Sequence, residues 1–265
     1  MALLVGNNAA AQELIKYGNF NSWITRNIKE SSVLGGNTKQ VYEIGPTQTI
    51  NGAKAYVNMG GSPWATSNVY CKVMGITKCS NAVVPDVRNG SDKCVKMSTI
   101  FEHVKAMGMI NMDVLVSGSI FLGQVMEPIT SSKSPYSKME MGVPFTRRPK
   151  YLSFDYKVHI PEGGTRVYSS GFGKKKTLSG QDYAEVYVLL QRRWEDAKGN
   201  LYAKRVGTGR ERFSAPTNGW VNGHHLAVHY GDITSQPFYQ PYMGLLTGER
   251  RYYARNSSGK VVPVT

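Results

Sequence analysis

The sequence contains no long apolar run and little sign of helix. None of its segments approaches the roughly 20 consecutive apolar residues of a membrane-spanning helix, so we expect no transmembrane segment. Apolar residues do not recur at helical spacing over any useful length, and only residues 100–107 favour a turn or two of helix. Instead, the 28 Gly and 16 Tyr among the 265 residues are typical of many strands joined by turns.

Acidic residues are scarce. The chain has 18 Asp and Glu against 32 Lys and Arg, which gives a net charge of +14. A charge of this size favours acidic partners, namely nucleic acid, a membrane surface or an acidic polysaccharide. The basic residues occur in small groups, however, and no nucleic-acid-binding motif is present. We therefore expect no nucleic-acid partner and interpret most of the charge as a solvated surface.

No pair of acids is marked as catalytic. A glycoside hydrolase needs two carboxylates about 5–10 Å apart across a cleft. The acids on or near predicted strands are Glu102, Asp113, Glu140, Asp155, Asp182 and Glu185. Nothing in their spacing selects two of them, so we assign no catalytic residue. A hydrolase that acts on a polysaccharide stays as the alternative function.

Other chemistries lack their motifs. There is no G-x-S-x-G nucleophile elbow, and the segment at 171–174 lacks the spacing and the following helix of a phosphate loop. The three cysteines, Cys71, Cys79 and Cys94, match no zinc-binding pattern. They could form one disulfide and leave one free thiol, or remain three thiols.

The densest histidine cluster, His224, His225 and His229, lies in the segment GHHLAVHY. The apolar residues that alternate with the histidines indicate a strand rather than a helix. Four strand steps would separate His225 from His229 by roughly 13 Å, which is too far for one metal ion. We expect histidines exposed on a strand face and leave any metal ligands unassigned.

Alternating polar and apolar residues recur along the chain. Predicted strands cover residues 39–44, 54–59, 93–100, 112–116, 119–124, 151–160, 182–191, 201–206 and 226–230. The segments 182–191 and 201–206 flank a turn and indicate a β-hairpin. Most connections are too short for parallel crossovers. We therefore predict an all-β fold, an antiparallel two-sheet sandwich of the jelly-roll type found in carbohydrate-binding modules.

We expect residues 12–265 to form a single domain. Residues 1–11, MALLVGNNAAA, end in small residues typical of a signal-peptide cleavage site and are interpreted as a signal remnant. This interpretation favours export of the protein.

Aromatic residues could supply a sugar-binding surface, because the apolar faces of sugar rings stack on aromatic rings. Trp64 lies in a loop-like context and Trp194 at the tip of the predicted hairpin, so both are candidates for exposure. Trp23 and Trp220 are assigned to core packing.

The segment Pro-Phe-Thr-Arg-Arg-Pro at 144–149 immediately precedes a well-patterned strand. Its two prolines stiffen the entrance to the strand and remove hydrogen-bond donors there, and its phenylalanine is expected to plug one end of the sandwich. Because neighbouring side chains alternate in direction, one arginine can anchor a loop while the other faces solvent or ligand. The candidate carbohydrate-binding residues are thus Trp64, Trp194 and Arg147. The structural motif comprises Trp23, Pro144, Phe145, Arg148 and Pro149.

Several segments together resemble a known family. They are GNFNSW (18–23), KCVKMST (93–99), SGSIFLGQV (117–125), GVPFTRRPKYLSFDYKV (142–158) and DYAEVYVLL (182–190). In this order they are similar to the putative carbohydrate metabolism domain family of secreted bacterial proteins, over most of residues 18–240. The segment at 142–158 is the most specific of them.

The resemblance implies a jelly-roll sandwich exported to the periplasm or surface of a Gram-negative bacterium, with a role in glycan use. Its partner would be a polysaccharide or oligosaccharide, and the net charge makes an anionic one the better candidate. The resemblance transfers no catalytic residue, and it allows a structural calcium ion without identifying its ligands. The predicted function is therefore that of a non-catalytic glycan-binding module.

The C-terminal part departs from the family pattern. The resemblance leads us to expect a final strand with an apolar–Asp–Asn/Asp–apolar pattern, whereas the sequence ends in KVVPVT. Without a closing strand, a sheet edge would be left unpaired. A structural or adhesion role at the cell surface is therefore kept as a third alternative.

Overall fold

The computed structural model describes residues 12–106, 110–131, 135–161, 166–169 and 175–265. The regular elements in these ranges are 21 strands and five 3₁₀ helices, the longest of which has four residues. The prediction of an all-β fold is confirmed. No helix within the described ranges has the length and apolar character needed to cross a membrane.

The strands of the first half are short and closely spaced. They are β1 (Trp23–Lys29), β2 (Thr38–Ile44), β3 (Gln48–Asn51), β4 (Trp64–Thr66), β5 (Val69–Val73), β6 (Ile76–Ser80), β7 (Val83–Asn89), β8 (Asp92–Met97), β9 (Ile100–Ala106), β10 (Ile110–Val116), β11 (Ile120–Val125) and β12 (Met139–Met141).

The second half contains the two longest strands, β16 and β17, of 12 and 13 residues. Its strands are β13 (Tyr151–Tyr156), β14 (Arg166–Tyr168), β15 (Lys176–Leu178), β16 (Ala184–Glu195), β17 (Leu201–Phe213), β18 (Val221–Ala227), β19 (His229–Tyr230), β20 (Tyr253–Arg255) and β21 (Val261–Pro263). The 3₁₀ helices cover Ser32–Leu34, Met59–Gly61, Pro135–Lys138, Pro241–Met243 and Gly248–Arg250.

The described strands pair into nine small sheets of two or three strands. All but one of these pairs are antiparallel, in an arrangement compatible with the predicted sandwich. The exception is the parallel pair of β1 and β3. Strand β2 runs back along one edge of β1 before β3 joins the other edge, so β2 itself serves as the crossover that a parallel pair requires.

Two hairpins show how the local sequence sets the pairing. The predicted hairpin is confirmed, because β16 and β17 pair along their whole length from Ala184↔Phe213 to Glu195↔Leu201. Between β5 and β6 the turn consists of Met74 and Gly75, both with positive φ. Two positive φ angles define the type I′ turn, whose twist matches that of the flanking strands.

Two sequence-based expectations are wrong. Residues 100–106 form strand β9 rather than a helical turn, since they pair along their length with β10. The predicted strand at 54–59 is irregular. Its backbone groups instead bond to buried side chains: Lys54 O accepts from Arg26 Nη2 at 2.9 Å, and Tyr56 N donates to Glu127 Oε2 at 2.9 Å.

Two clusters of buried apolar side chains lie in the first half of the chain. One contains Ile28, Val41, Tyr70 and Cys79. The other contains Trp23, Ile44 and Val83. Trp23 is 4% exposed, and its Nε1 donates to Phe20 O at 2.6 Å, so its polar atom stays satisfied. Full burial of each large apolar side chain contributes about 1.5–3 kcal/mol.

The C-terminal residues pack back onto β17. Strand β21 pairs with β20, and Val264 forms an isolated bridge with Leu201. Leu201, Ala254 and Val264 form a third buried cluster. This Tyr- and Gly-rich part of the sequence therefore covers one end of the long hairpin.

The cysteines are three free thiols, which decides between the two arrangements that the sequence left open. Cys79 is fully buried, and burial raises the pKa of its thiol to about 12.

Candidate functional site

A groove of about 250 Å³ lies where β17 meets strands β18 and β19 and the C-terminal segment. Its lining residues are Thr208, Arg210, Glu211, His225, Leu226, Ala227, His229, Phe238, Tyr242 and Met243. Aromatic rings thus stand beside an arginine and a carboxylate. The volume is slightly below the range of about 300–1,000 Å³ that is typical of small-ligand sites, so the groove suits one unit of a larger ligand.

A β-bulge decides which side chains of β17 share a face. The register between β16 and β17 shifts between Leu190 and Gln191, which leaves Val206 as an extra residue on β17. Arg205 and Arg210 are five residues apart and would lie on opposite faces of a regular strand. The extra residue brings both arginines to the same face.

On this face one carboxylate serves two arginines. Glu185 Oε1 accepts hydrogen bonds from Arg210 Nε at 3.0 Å and Nη2 at 2.6 Å, and Glu185 Oε2 accepts one from Arg212 Nε at 2.6 Å. The Arg212 guanidinium lies 4.0 Å from the ring centres of both Tyr183 and Tyr242. Stacking of planar guanidinium groups on aromatic rings makes the arrangement rigid.

Three side chains at this site have polar atoms without a hydrogen-bond partner among the described residues. They are Arg205 (Nε and Nη2), Arg210 (Nη1) and Tyr252 (the hydroxyl). The Arg210 side chain is only 9% exposed. Buried polar groups are normally paired, and an unsatisfied one costs about 1–3 kcal/mol. This part of the site is therefore rich in donors and poor in acceptors.

Positive charge is concentrated around the same groups. Burial lowers the pKa of the Arg205 guanidinium, and the nearby Arg210 charge lowers that pKa further. Burial raises the pKa of Tyr252 to about 12, although the charges of Arg193, Arg205 and Arg210 act in the opposite direction. The Tyr252 hydroxyl consequently keeps its proton at neutral pH and remains a donor.

His224, which belongs to β18, is surrounded by aromatic side chains of β13 and β17. Its Nε2 lies 2.7 Å from Glu211 Oε2. The rings of Phe154, Tyr156 and Phe213 meet the imidazole edge-on, with centres 5.2, 5.4 and 5.8 Å away. These contacts hold Glu211 in place at the edge of the groove.

The other two histidines stack on aromatic rings. His225 stacks on Tyr151 and His229 on Phe238, each with ring centres 4.0 Å apart. Their predicted placement on strands is confirmed, and His225 is exposed whereas His229 is half-buried. Among the described residues, no group of three or more His, Cys, Asp or Glu side chains could hold a metal ion. The structural calcium ion stays a prediction.

Trp64 begins β4 and is half-buried rather than exposed in a loop. Its Nε1 donates to Lys16 O at 2.9 Å, and its ring meets Phe20 edge-on with centres 5.4 Å apart. It packs against the buried cluster that contains Trp23. These contacts tie the segment before β1 to the core.

Trp194 is 50% exposed and lies near the end of β16, where it directly opposes Tyr202 on β17. The two rings are nearly parallel, with an interplanar angle of 19° and centres 5.8 Å apart. Tyr202 is held by a 3.2 Å hydrogen bond from its hydroxyl to Asp196 Oδ2. The exposed Trp194 ring, backed by the half-buried Tyr202 ring, lies outside the groove lining.

The two arginines of the 144–149 segment have different partners. Arg147 is exposed and forms a 3.1 Å ion pair with Glu13. The Arg148 guanidinium lies 4.2 Å from the ring centre of Tyr230, whose hydroxyl donates to Pro149 O at 2.8 Å. The segment is thus attached to β19, next to the groove.

Two aromatic assignments need correction. Phe145 is 48% exposed, so the expectation that it plugs the end of the sandwich is wrong. The segment around it is irregular and exposed. Trp220 was assigned to the core but is only half-buried, with the Arg88 guanidinium 4.9 Å from its ring centre.

The candidate acids mostly serve as partners of cations. Asp155 pairs with Arg88 at 2.6 Å, and its pKa is lowered by a hydrogen bond from Gly223 N and by Arg88. His103 and Lys175 lower the pKa of Asp113. A general acid needs a raised pKa, so neither residue has the character of one.

A buried ionic cluster that no sequence pattern predicts consists of Arg26, Glu43 and Glu127. Arg26 Nη1 lies 2.8 Å from Glu43 Oε1, and Arg26 Nη2 lies 2.5 Å from Glu127 Oε2. Burial raises the pKa of Glu43 to about 7, although Arg26 acts in the opposite direction. The two carboxylates border a cavity of only about 10 Å³, which is room for about one water molecule.

One sequence signal could have pointed to the groove. In TGRERF, residues 208–213, two arginines alternate along a strand and so share a face. Their partners Glu185 and Tyr242 are distant in sequence, however, and the bulge at Val206 leaves no mark in the composition. Only the structure shows that Glu185 and Tyr242 contact the arginines on this face of β17.

Comparison with protein families identifies the family of this chain. The model of the family described as "Putative carbohydrate metabolism domain" matches residues 37–228, more than half of the chain. The match includes the 142–158 segment and strands β16 and β17. No curated protein and no solved structure matches the chain.

Proposed function

Because the chain belongs to the putative carbohydrate metabolism domain family, we propose that it binds a glycan without cleaving it, in the groove beside β17. The observation that carries this proposal is the groove lining, in which aromatic rings stand beside Arg210 and Glu211. Sugar rings have apolar faces and polar edges, so a site of this kind can stack on the face and bond to the hydroxyl groups.

Phe238 is the best-placed ring for stacking. It lines the groove and is 37% exposed, and its ring is already held against His229 with centres 4.0 Å apart. A ring fixed in this way loses little conformational entropy when a ligand binds. Tyr242 adds a second ring that is fixed by stacking on Arg212.

The charge of the protein supports an acidic glycan over a neutral one. A net charge of +14 raises the local concentration of anionic ligands, and Arg210 brings one of these charges to the groove.

Binding is better supported than hydrolysis. The groove lining contains one carboxylate, Glu211, which is hydrogen-bonded to His224. The two carboxylates that share a cavity, Glu43 and Glu127, border a space too small for a sugar ring. A hydrolase needs two carboxylates on either side of the scissile bond, and the described residues do not bring such a pair to the groove.

We also propose that the protein acts outside the cytoplasm, in a secreted bacterial system of glycan use. The support is the family match together with the secreted character that the sequence resemblance implies. Cell fractionation of the native producer tests this placement, and recovery of the protein in the cytoplasm alone would contradict it.

A pair of matched Phe→Ala variants tests glycan binding in the groove. The wild-type protein is first screened on an array of neutral and anionic polysaccharides. Binding of the best probe is then measured by calorimetry for Phe238→Ala and for Phe145→Ala, which removes a 48% exposed ring outside the groove lining. We expect at least a tenfold weaker affinity for Phe238→Ala and no change for Phe145→Ala. Lack of binding to every polysaccharide, or equal affinities of the two variants, would overturn the proposal.

The Trp194–Tyr202 surface is a second candidate for the glycan. Its support is the exposed Trp194 ring, which lies nearly parallel to the half-buried ring of Tyr202. Trp194→Ala in the same calorimetric experiment separates the two surfaces. Loss of binding in Trp194→Ala with full binding in Phe238→Ala would move the site to the hairpin.

A further inference from the structure

The face of β17 that borders the groove carries more hydrogen-bond donors than acceptors. Arg205 Nε and Nη2, Arg210 Nη1 and the Tyr252 hydroxyl are buried and have no partner among the described residues. Glu185, the carboxylate that bonds to the arginines of this face, already accepts three hydrogen bonds from Arg210 and Arg212. The arrangement therefore lacks an acceptor group.

The positions of these donors are fixed by the fold. Arg205 Nη1 donates to Met243 O at 2.8 Å and to Gly244 O at 3.2 Å. Met243 and Arg210 both line the groove. The bulge at Val206 keeps the two arginines on one face. The donors are thus held in place close to the groove. Of the three residues only Arg210 lines it, and the unpartnered atoms are closed to solvent in this structure, so a ligand group reaches them from the groove only after a shift of the lining side chains.

An oxyanion is the ligand that fits this arrangement. A carboxylate or sulfate group offers several acceptor oxygens and a negative charge, and it forms strong charge-assisted hydrogen bonds with arginine. Arg210 already shares Glu185 with Arg212, whereas no carboxylate among the described residues is paired with Arg205, so a neutral hydroxyl would leave the charge of Arg205 uncompensated. Tyr252 keeps its proton and can donate to the same group.

We propose that Arg205, Arg210 and Tyr252 form an oxyanion site at the inner side of the groove, which takes the carboxylate or sulfate group of an acidic sugar. This inference rests on the proposed glycan binding, because the sugar ring would lie on the aromatic lining while its anionic group reaches the two arginines. The chemical class of the ligand is therefore a uronic acid or a sulfated sugar.

Titrations followed by NMR chemical shifts test the site. The probes are glucuronate, its uncharged methyl ester, glucose 6-sulfate, glucose and inorganic sulfate, all at one ionic strength. The variants are Arg205→Met and Arg210→Met. Arg88→Met is the matched control, because it removes the same charge from a side chain that is 33% exposed, pairs with Asp155 and lies outside the groove lining. If a Met variant does not fold, Arg205→Lys and Arg210→Lys keep the charge and remove part of the donor set.

We expect glucuronate or glucose 6-sulfate to bind at least tenfold more tightly than the uncharged sugars, and the better of the two identifies the group. The preference should be lost in Arg205→Met and Arg210→Met and kept in Arg88→Met. Equal binding of glucuronate and its methyl ester would overturn the oxyanion site and leave glycan binding intact. Binding of inorganic sulfate with no binding of any sugar would overturn the proposed glycan binding and leave an oxyanion site, and binding of none of the probes would overturn both.

Discussion

Arg26 and the pair Arg205 and Arg210 show two opposite uses of buried arginine. Arg26 is 1% exposed, and both of its terminal nitrogens are bonded to carboxylates or to a backbone carbonyl. Arg205 and Arg210 also lie in partly or largely buried positions, yet three of their nitrogens have no partner among the described residues.

The cavities beside these arginines differ in the same way. The buried ionic cluster borders about 10 Å³, whereas the groove holds about 250 Å³. A closed, fully paired cluster has no position for a ligand, so its role is to hold β1 and β2 against the segment around Glu127. The unpartnered donors of Arg205 and Arg210, in contrast, lack an acceptor and lie close to a groove that is large enough for a ligand. All three arginines carry the same charge. What distinguishes the structural Arg26 from Arg205 and Arg210 is that its terminal nitrogens all have hydrogen-bond partners.

Removal of Arg26 should cause the largest loss of stability. Arg26→Met leaves Glu43 and Glu127 buried without their cation, and the expected cost is about 3–5 kcal/mol of unfolding free energy. Urea denaturation measures it. Arg88→Met is the control, because its ion pair with Asp155 is one-third exposed and should contribute at most about 1 kcal/mol. Similar losses for both variants would contradict the structural role of the buried ionic cluster.

The pH dependence of stability should also follow the buried ionic cluster. The pKa of Glu43 is raised from 4.5 to about 7 by burial, so the folded state binds this proton more tightly than the unfolded state. The resulting stabilisation is complete below pH 4.5 and is lost as the pH rises through 7, which amounts to about 3 kcal/mol. Denaturation curves of wild type and Glu43→Gln from pH 5 to 8 should therefore diverge by about this amount, with the wild type losing more. Parallel curves would show that Glu43 does not titrate in this range.

Removal of Arg205 should affect stability much less than removal of Arg26. Arg205→Met loses the bonds to Met243 and Gly244, but it also removes a buried cation and two unpartnered donors. These terms offset each other, so the unfolding free energy should change by less than about 1 kcal/mol. A loss as large as that of Arg26→Met would place Arg205 among the structural arginines.

Trp194→Ala should have the smallest effect. The side chain is 50% exposed and its main described ring contact is with Tyr202, so the expected loss of stability is about 0.5–1 kcal/mol. Affinity for the ligand of the groove should not change. A measurable loss of affinity would show that the hairpin surface and the groove bind the same glycan.

The period-two pattern was sufficient to predict the all-β class and the long hairpin, since alternation along 182–191 marks which face is buried. It failed at residues 54–59, where the backbone bonds to Arg26 and Glu127 instead of to a strand. That exchange depends on residues up to 101 positions apart, which no local pattern records.

The groove was less predictable than the fold. Trp64 and Trp194 were selected because they are tryptophans in predicted loops or turns. Trp64 instead packs on the core, and the aromatic residues that line the groove are His, Phe and Tyr. Arg205 and Arg210 share a face only because of the bulge at Val206. A single extra residue in a strand pair depends on the partner strand, so the sequence of β17 alone does not specify it.

A crystal structure of the protein with an oligosaccharide of glucuronate would show whether the groove holds an acidic sugar. We expect a sugar ring on Phe238 and a carboxylate about 2.7–2.9 Å from the guanidinium nitrogens of Arg205 and Arg210. A ligand bound elsewhere on the surface, with the donors of both arginines still unoccupied, would contradict it.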